Sequence, residues 1–469
     1  MSLDGVKSMF IGRENEIREI KESLDKHNYQ GVFVYGRRRI GKTELIQQGI
    51  RDCSYRILSF EFRKTTLMGN LNLFIYYVKV FFYEDYLSFD SFDSLFDYLF
   101  RKSLEEEYVL VLDEFSFLLS EDFSIESSLA VAIDKYKNNS KIHLFISGSY
   151  IGLMEKMISQ NSHSYGRFNH IISLKPFDYY DSSKFYPSYS SEDKIMIYSV
   201  FGGIPYFNSL IDTNKSALDN IYDLLIKADS ICEHEINEIV MMETTKVPLL
   251  NELLLTIIRG KNKYSDINEV FLSQNKSKPD YFIEKLIDMS FIEKAFSIND
   301  PNNKKRIRYV IKDNLVDFYY RYLFIAKNKE LRNNPEFYYE NFIKEDFLNK
   351  YIPHKFESIS KEFLIRMNIV NKIKPAFFEI GEYFYNNTKK NINRQFDVVT
   401  KDKNGYISYE CKYINDQIDE SVIREEEYQT SDLPDIKFYK LGFISKNGFN
   451  KNIDRNKYNL FELEEFFKN

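Results

Sequence analysis

Between Phe10 and about Phe177, stretches with apolar residues every three to four positions alternate with short, continuously apolar runs. That alternation predicts helices interleaved with the strands of a parallel α/β sheet. The clearest strands are residues 31–35, 109–112 and 142–146, apolar throughout, as strands covered by helices on both faces must be. From about 191 to 255 no strand stands out, and apolar residues recur at helical spacing through 197–201 and 218–225, which predicts a helical lid. Residues 278–289 then read as an amphipathic helix, followed by strands 291–297 and 306–311 around the polar loop 299–305, the order of a winged helix. An aromatic helical stretch, 318–324, leads into a final α/β unit from about Phe356. The expected domains are an α/β core at 1–185, a lid at 186–255, a winged helix at 256–325 and a C-terminal α/β domain at 326–469.

At 469 residues the chain exceeds one hydrophobic core, which supports that division. Three cysteines, Cys53, Cys232 and Cys411, lie far apart, which argues against a disulfide framework and a Cys-based zinc site. The six histidines show no metal-ligand spacing. The first ten residues lack an apolar signal core, and the most apolar stretch, 71–83, is broken by Lys79 and falls short of the roughly 20 residues that span a bilayer. A soluble, cytoplasmic protein without membrane partners is expected. The net charge of −6 provides no global attraction to nucleic acid, so any DNA contact must be local. Basic clusters at 37–39, 304–308 and 389–394 are the places for it, although most such clusters are solvated surface.

The segment Gly36-Arg37-Arg38-Arg39-Ile40-Gly41-Lys42-Thr43 matches G-x-x-x-x-G-K-[ST]. It follows an apolar strand and precedes a helical pattern that opens at Glu44. Glycines let backbone amides close around phosphates, and a helix N-terminus favours the anion. Lys42 then reaches the β and γ phosphates of ATP, and Thr43 ligates Mg2+. Hydrolysis also needs a carboxylate on a neighbouring strand and an acid that activates water. Asp113, at the tip of the run 109–112, suits the metal shell, and Glu114 suits the general base.

Together with the P-loop and Asp113-Glu114, several further motifs resemble the archaeal-type ATPases of the AAA+ superfamily, relatives of the signal-transducing NTPases. They are Phe10-Ile11-Gly12-Arg13-Glu14, Phe145-Ile146-Ser147-Gly148-Ser149, Tyr165-Gly166-Arg167 and Gly202-Gly203-Ile204-Pro205-Tyr206. Residues 307–322 and the last hundred resemble the DUF234-type domain that accompanies this ATPase. The resemblance implies a P-loop AAA+ parallel sheet with helical lid, a winged helix and a restriction-endonuclease-like α/β domain. It implies that Ser149, or Ser147, senses the γ phosphate. It offers Arg167 as an arginine finger or sensor, against the alternative of a structural salt bridge. Gly202, Gly203 and Pro205 are expected to fix a tight turn.

In the C-terminal unit, residues 396–399, a polar turn with Asn404-Gly405 and residues 407–412 read as a β-hairpin. With Asn404-Gly405 as a two-residue turn, Lys403 pairs with Tyr406 and Asp397 lies opposite Lys412. Glu410 then sits diagonally on the same face, roughly 7 to 8 Å away. Two carboxylates and an ammonium on one face match the D…E-x-K signature of PD-(D/E)XK nucleases, which the resemblance also implies, with Glu357 as an additional acid on the first helix. In such sites Asp397, Glu410 and Glu357 hold divalent metal and Lys412 assists the attack of water. The bland alternative is an exposed hairpin with an ordinary salt bridge.

Two functions follow as expectations. In one, an ATPase controls a nucleic-acid-directed, metal-dependent nuclease domain acting on DNA. In the other, ATP drives assembly with protein partners or self-association, and the nuclease-like domain is an interaction surface, as the acidic charge favours. A DNA-binding regulator is disfavoured because the helix 278–289 carries Asp280, Glu284 and Asp288 against Lys278 and Lys285.

Overall fold

The computed structural model describes residues 10–468 except 244–245, 276–277, 304–306, 327–331, 388–391, 432 and 434–435, and describes only the backbone of 242–243, 274–275, 386–387 and 392–393. Parts of the two basic clusters 304–308 and 389–394, and the N-terminal residues 1–9, therefore lie outside the described residues. The chain forms two compact units, Met1–Pro176 and Phe177–Asn469. The segments expected as lid, winged helix and C-terminal domain are held in the second unit.

The first unit runs α1 (Glu14–Leu24), β1 (Gln30–Gly36), α2 (Lys42–Ile50), β2 (Arg56–Glu61), α3 (Leu67–Phe82), α4 (Phe92–Lys102), β3 (Tyr108–Asp113), α5 (Ser116–Glu121), α6 (Ile125–Tyr136), β4 (Ile142–Gly148), α7 (Ile151–Ile158) and β5 (His170–Leu174). Its strands are all parallel in the order β2-β3-β4-β1-β5. Every residue of β1, β3 and β4 is buried, which explains their unbroken apolar runs. β2, at one edge, alternates instead, with Leu58 and Phe60 inward and Ile57, Ser59 and Glu61 exposed. The core is aromatic, with Phe33, Phe60, Phe62, Phe74, Phe96, Phe100, Tyr108 and Phe115 buried in one cluster. Helix starts are fixed locally: Thr66 Oγ1 accepts from the Gly69 amide, and Ser91 Oγ from that of Ser94.

The second unit opens with α8 (Tyr179–Ser183) and α9 (Ser191–Phe201). Gly203 lies against the backbone of Phe177: a Cβ there would sit 1.8 Å from the Phe177 carbonyl oxygen, so no side chain fits. Beyond further helices, the helix Asp280–Asp288 precedes the antiparallel hairpin of β6 (Ile292–Ala295) and β7 (Arg308–Ile311). The aromatic stretch expected as helix continues the helix Asn314–Phe318 as a wider π-helical turn, Tyr319–Phe324. A second sheet has the order β12-β11-β10-β9-β8, built from β8 (Glu379–Asn387), β9 (Ile392–Asp402), β10 (Gly405–Lys412), β11 (Phe438–Ser445) and β12 (Asn459–Glu462). β8, β9 and β10 pair antiparallel, β10, β11 and β12 parallel. The helix Ile352–Ile369 packs on this sheet through Phe356 against Tyr413 and Phe363 against Phe461. Among the described residues no helix is long and apolar enough to cross a membrane.

Candidate functional site

The strand order brings the P-loop, which follows β1, and Asp113, which ends β3, to one edge of the sheet, with β4 between them. α2 begins at Lys42 behind Gly41, whose φ of 89° is left-handed and costs glycine nothing. Gly36 is required by space, since a Cβ would sit 2.6 Å from the Leu174 carbonyl oxygen. Arg37 and Ile40 are buried, Arg38 half-buried, Arg39 and Glu44 exposed, and Glu44 places a carboxylate in the first turn of α2.

Lys42 is 5 % exposed and its Nζ donates to Ser149 Oγ at 2.9 Å, to Gly36 O at 3.3 Å and to Arg37 O at 3.4 Å. Glu114 Oε1 lies 3.7 Å from the same nitrogen. Burial lowers the Lys42 pKa, against the charges of Glu114 and Asp113. Ser149 Oγ also donates to Glu114 Oε1, and the Ser149 amide donates to Glu114 Oε2 at 3.2 Å. Thr43 Oγ1 donates to Asp113 Oδ2 at 2.7 Å, while Ser147 Oγ donates to Asp113 Oδ1. The two serines therefore divide the work, Ser147 holding Asp113 and Ser149 bridging Lys42 to Glu114. A hydroxyl and a carboxylate 2.7 Å apart are hard oxygen donors that suit Mg2+, and with the helix N-terminus and the Lys42 ammonium they fit an ATP–Mg2+ complex.

Arg167 is not in this cluster. Its Nη2 pairs with Asp134 Oδ2 and its carbonyl accepts from Tyr29 OH at 2.9 Å. The Asn169 amide donates to Gly31 O. Arg167 thus sits at the start of β1, five residues before Gly36, or roughly 16 Å along a strand.

Glu61, which sequence reading missed, ends β2 and is registered beside Asp113. Burial and then the charges of Asp113 and Glu114 raise its pKa. The signal was an acid closing an alternating strand, uninformative until β2 is known to adjoin β3.

In the second unit the hairpin register differs from the expected one. Gly405 pairs with Asp402 and Tyr409 with Val398, so the two loop residues are Lys403 and Asn404. The cause is Asp402, whose Oδ1 accepts from the Asn404 amide at 2.7 Å and closes the turn one residue earlier. Carried one pair further, the register sets Glu410 rather than Lys412 opposite Asp397. The slip is by two, so parity and the shared face survive.

Lys412 Nζ lies 2.5 Å from Glu410 Oε1. Burial works to lower the Lys412 pKa, but Glu410 holds it above the usual value. Glu357 is bonded to His354 Nδ1 at 3.0 Å, and Asp397 Oδ1 accepts from Gln395 Nε2 at 2.6 Å. Burial, with the charges of Asp397 and Glu410, raises the Glu357 pKa, so the three acids act on one another. Each is nonetheless held by another partner, and among the described residues no three His, Cys, Asp or Glu groups stand close enough to hold a metal ion. The acids of this site therefore do not fit a metal centre as arranged. A further acid, Glu426 on the helix Glu420–Ser431, is buried, accepts from Ser408 Oγ at 2.9 Å and has its pKa pushed up to about 7 by burial and by Glu410.

Residues 10–208 match an ATPase domain found predominantly in Archaea, and residues 319–426 match a domain of archaeal and bacterial proteins of unknown function. An uncharacterized protein of Methanocaldococcus jannaschii is 28% identical over 466 residues, covering 98% of this chain and all of that one. Among solved structures, a Walker-type ATPase of Pyrococcus abyssi aligns over 67% of this chain and 97% of its own, with 18% identity and a TM-score of 0.49. The ORC2 protein of Aeropyrum pernix, in ADPNP and ADP complexes, aligns over 71% of this chain and 96% of its own, with 12% identity and a TM-score of 0.45.

Proposed function

We propose, for a chain carrying the ATPase domain found predominantly in Archaea, that it binds and hydrolyses ATP with Mg2+ as an AAA+ type protein and that its nucleotide state controls the C-terminal unit. The observation that carries this reading is the convergence of Lys42, Ser149 and Glu114 in one hydrogen-bonded cluster beside the Thr43–Asp113 pair. Mg2+ when bound supplies charge neutralisation across the β and γ phosphates. The amides of residues 36–43 cradle the phosphates, and Lys42 turns from Ser149 and Glu114 to the phosphate oxygens. That exchange releases Glu114 to accept a proton from the attacking water, with Ser149 keeping its carboxylate in place. Lys42→Ala should abolish binding of a fluorescent ATP analogue, while Glu114→Gln should bind it and lose turnover by about 100-fold or more. Wild-type turnover in Glu114→Gln would overturn the assignment of the base.

For the output, Asp397 of β9 with Glu410 and Lys412 of β10, on one face of the sheet, support a nucleic-acid-directed unit of PD-(D/E)XK type. The helix Asp280–Asp288 with the β6–β7 hairpin supports the winged-helix reading of the segment before it. A second reading, an assembly switch acting through protein partners, is favoured by two observations. The acids are not gathered for a metal, and the hairpin is engaged within its own unit: the Ile298 amide donates to Glu382 O at 2.7 Å and the Arg308 guanidinium lies 3.7 Å over Phe384. A cleavage assay on DNA and RNA with Mg2+ or Mn2+, with and without ATP, beside Asp397→Ala decides between them. Metal-dependent cutting lost in Asp397→Ala supports the nuclease; no cutting and no salt-dependent duplex binding supports the switch.

A further inference from the structure

Glu61 and Asp113 are paired residues of parallel strands, which lie about 4.8 Å apart and direct paired side chains to one face. That face is the one α2 covers. A groove of about 240 Å³ runs along it, lined by Thr43, Ile46 and Gln47 of α2 and by Ser59, Val111 and Asp113 of the strands. Ile57 and Ser59 of β2 line the groove too, and Glu61 follows them on the same side of the strand, in register with Asp113. Asp113 is held by Thr43 and Ser147, and Glu114 by Ser149 and Lys42. Glu61 makes no hydrogen bond or ion pair with another described residue, while the charges of Asp113 and Glu114 act on it against those of Arg63 and Arg38.

An unpartnered acid beside two others is repelled unless a cation balances them. Among the described residues no three His, Cys, Asp or Glu groups are gathered as metal ligands, and Glu61 stands one strand away from Asp113, so its place is in the water shell of a cation at Thr43 and Asp113. Mg2+ suits this, because it dehydrates reluctantly and keeps several waters. Resting on the ATP–Mg2+ reading of the P-loop, we infer that Glu61 is a positioning residue of the nucleotide site, accepting hydrogen bonds from the metal's water shell on the β2 side.

The test is equilibrium binding of mant-ATP by the full chain, in EDTA and across a MgCl2 series, for wild type, Glu61→Gln and Glu61→Asp. Affinity in EDTA should be the same in all three. The Mg2+ concentration for half of the gain in affinity should rise about tenfold in Glu61→Gln, as for other outer-shell partners of a metal, and stay within about threefold of wild type in Glu61→Asp. Equal Mg2+ midpoints in wild type and Glu61→Gln overturn the role of Glu61 alone. A wild-type protein whose mant-ATP binding ignores Mg2+ overturns the ATP–Mg2+ reading itself. A Glu61→Gln protein that binds mant-ATP equally weakly with and without Mg2+, and melts well below wild type, makes Glu61 structural and overturns the inference.

Discussion

The Thr43 hydroxyl donates a 2.7 Å hydrogen bond to the Asp113 carboxylate, joining residues 70 positions apart in the chain. The bond exists because α2 starts at Lys42 and packs on β4 and β1, so that its first turn meets the tip of the adjoining β3. A P-loop threonine and a strand-end aspartate become one pair of oxygen donors by this packing.

Replacing Asp113 with Asn keeps the shape of that pair and removes its charge. Turnover of ATP should fall by about 100-fold or more, on the scale of losing one preorganised charged group, with mant-ATP binding in EDTA unchanged. Steady-state phosphate release beside the binding titration checks this, and unchanged turnover would place the metal elsewhere.

Arg167→Ala removes the pair with Asp134, whose partners are 23% and 42% exposed. For so open a pair the loss should be about 1 kcal/mol or less, visible in chemical denaturation, with ATP turnover unaffected. A drop in turnover of 100-fold that depends on protein concentration would instead mean that Arg167 serves the site of another copy.

Glu362, on the helix Ile352–Ile369, is half-buried against α8 and α9, accepting from the Tyr179 amide at 3.0 Å and from Tyr198 OH at 2.9 Å. Burial pushes its pKa up to about 8, while an unfolded Glu titrates near about 4.3. Between those values the folded protein holds a proton that the unfolded chain has released. Stability from this group is therefore complete below the unfolded value and is lost as the pH rises towards 8. Relative to wild type, Glu362→Gln should therefore gain melting temperature steadily as the pH is raised from about 5 to about 8.5. Parallel pH profiles of the melting temperature would rule this out.

Lys355 and Asp317 form a buried ion pair at 2.7 Å, with Arg321 at 3.2 Å from the same aspartate. Lys355→Met leaves Asp317 with one partner and should cost about 3 kcal/mol, the lower end for breaking such a pair. The double variant Asp317→Leu with Lys355→Met should recover most of that loss in urea denaturation. Additive losses would show that the pair is not coupled.

The sequence by itself determined the features that depend on near neighbours in the chain. The loop from Gly36 to Thr43, the buried strands around it and the Asp113-Glu114 step are local patterns, set by backbone freedom and by apolar periodicity. Parity belongs with them: Asp397 and Glu410 share a face in either register, because a slip of two preserves alternation. Which strands adjoin was decided only by tertiary structure, since apolar runs pair equally well in many orders until helices cover them. That choice separated Ser147 from Ser149, brought the unremarked Glu61 beside Asp113, and put Arg167 at the far end of β1. The side chain of Asp402 likewise moved the hairpin turn, a single hydrogen bond outweighing the preference of Asn404-Gly405 for the turn centre.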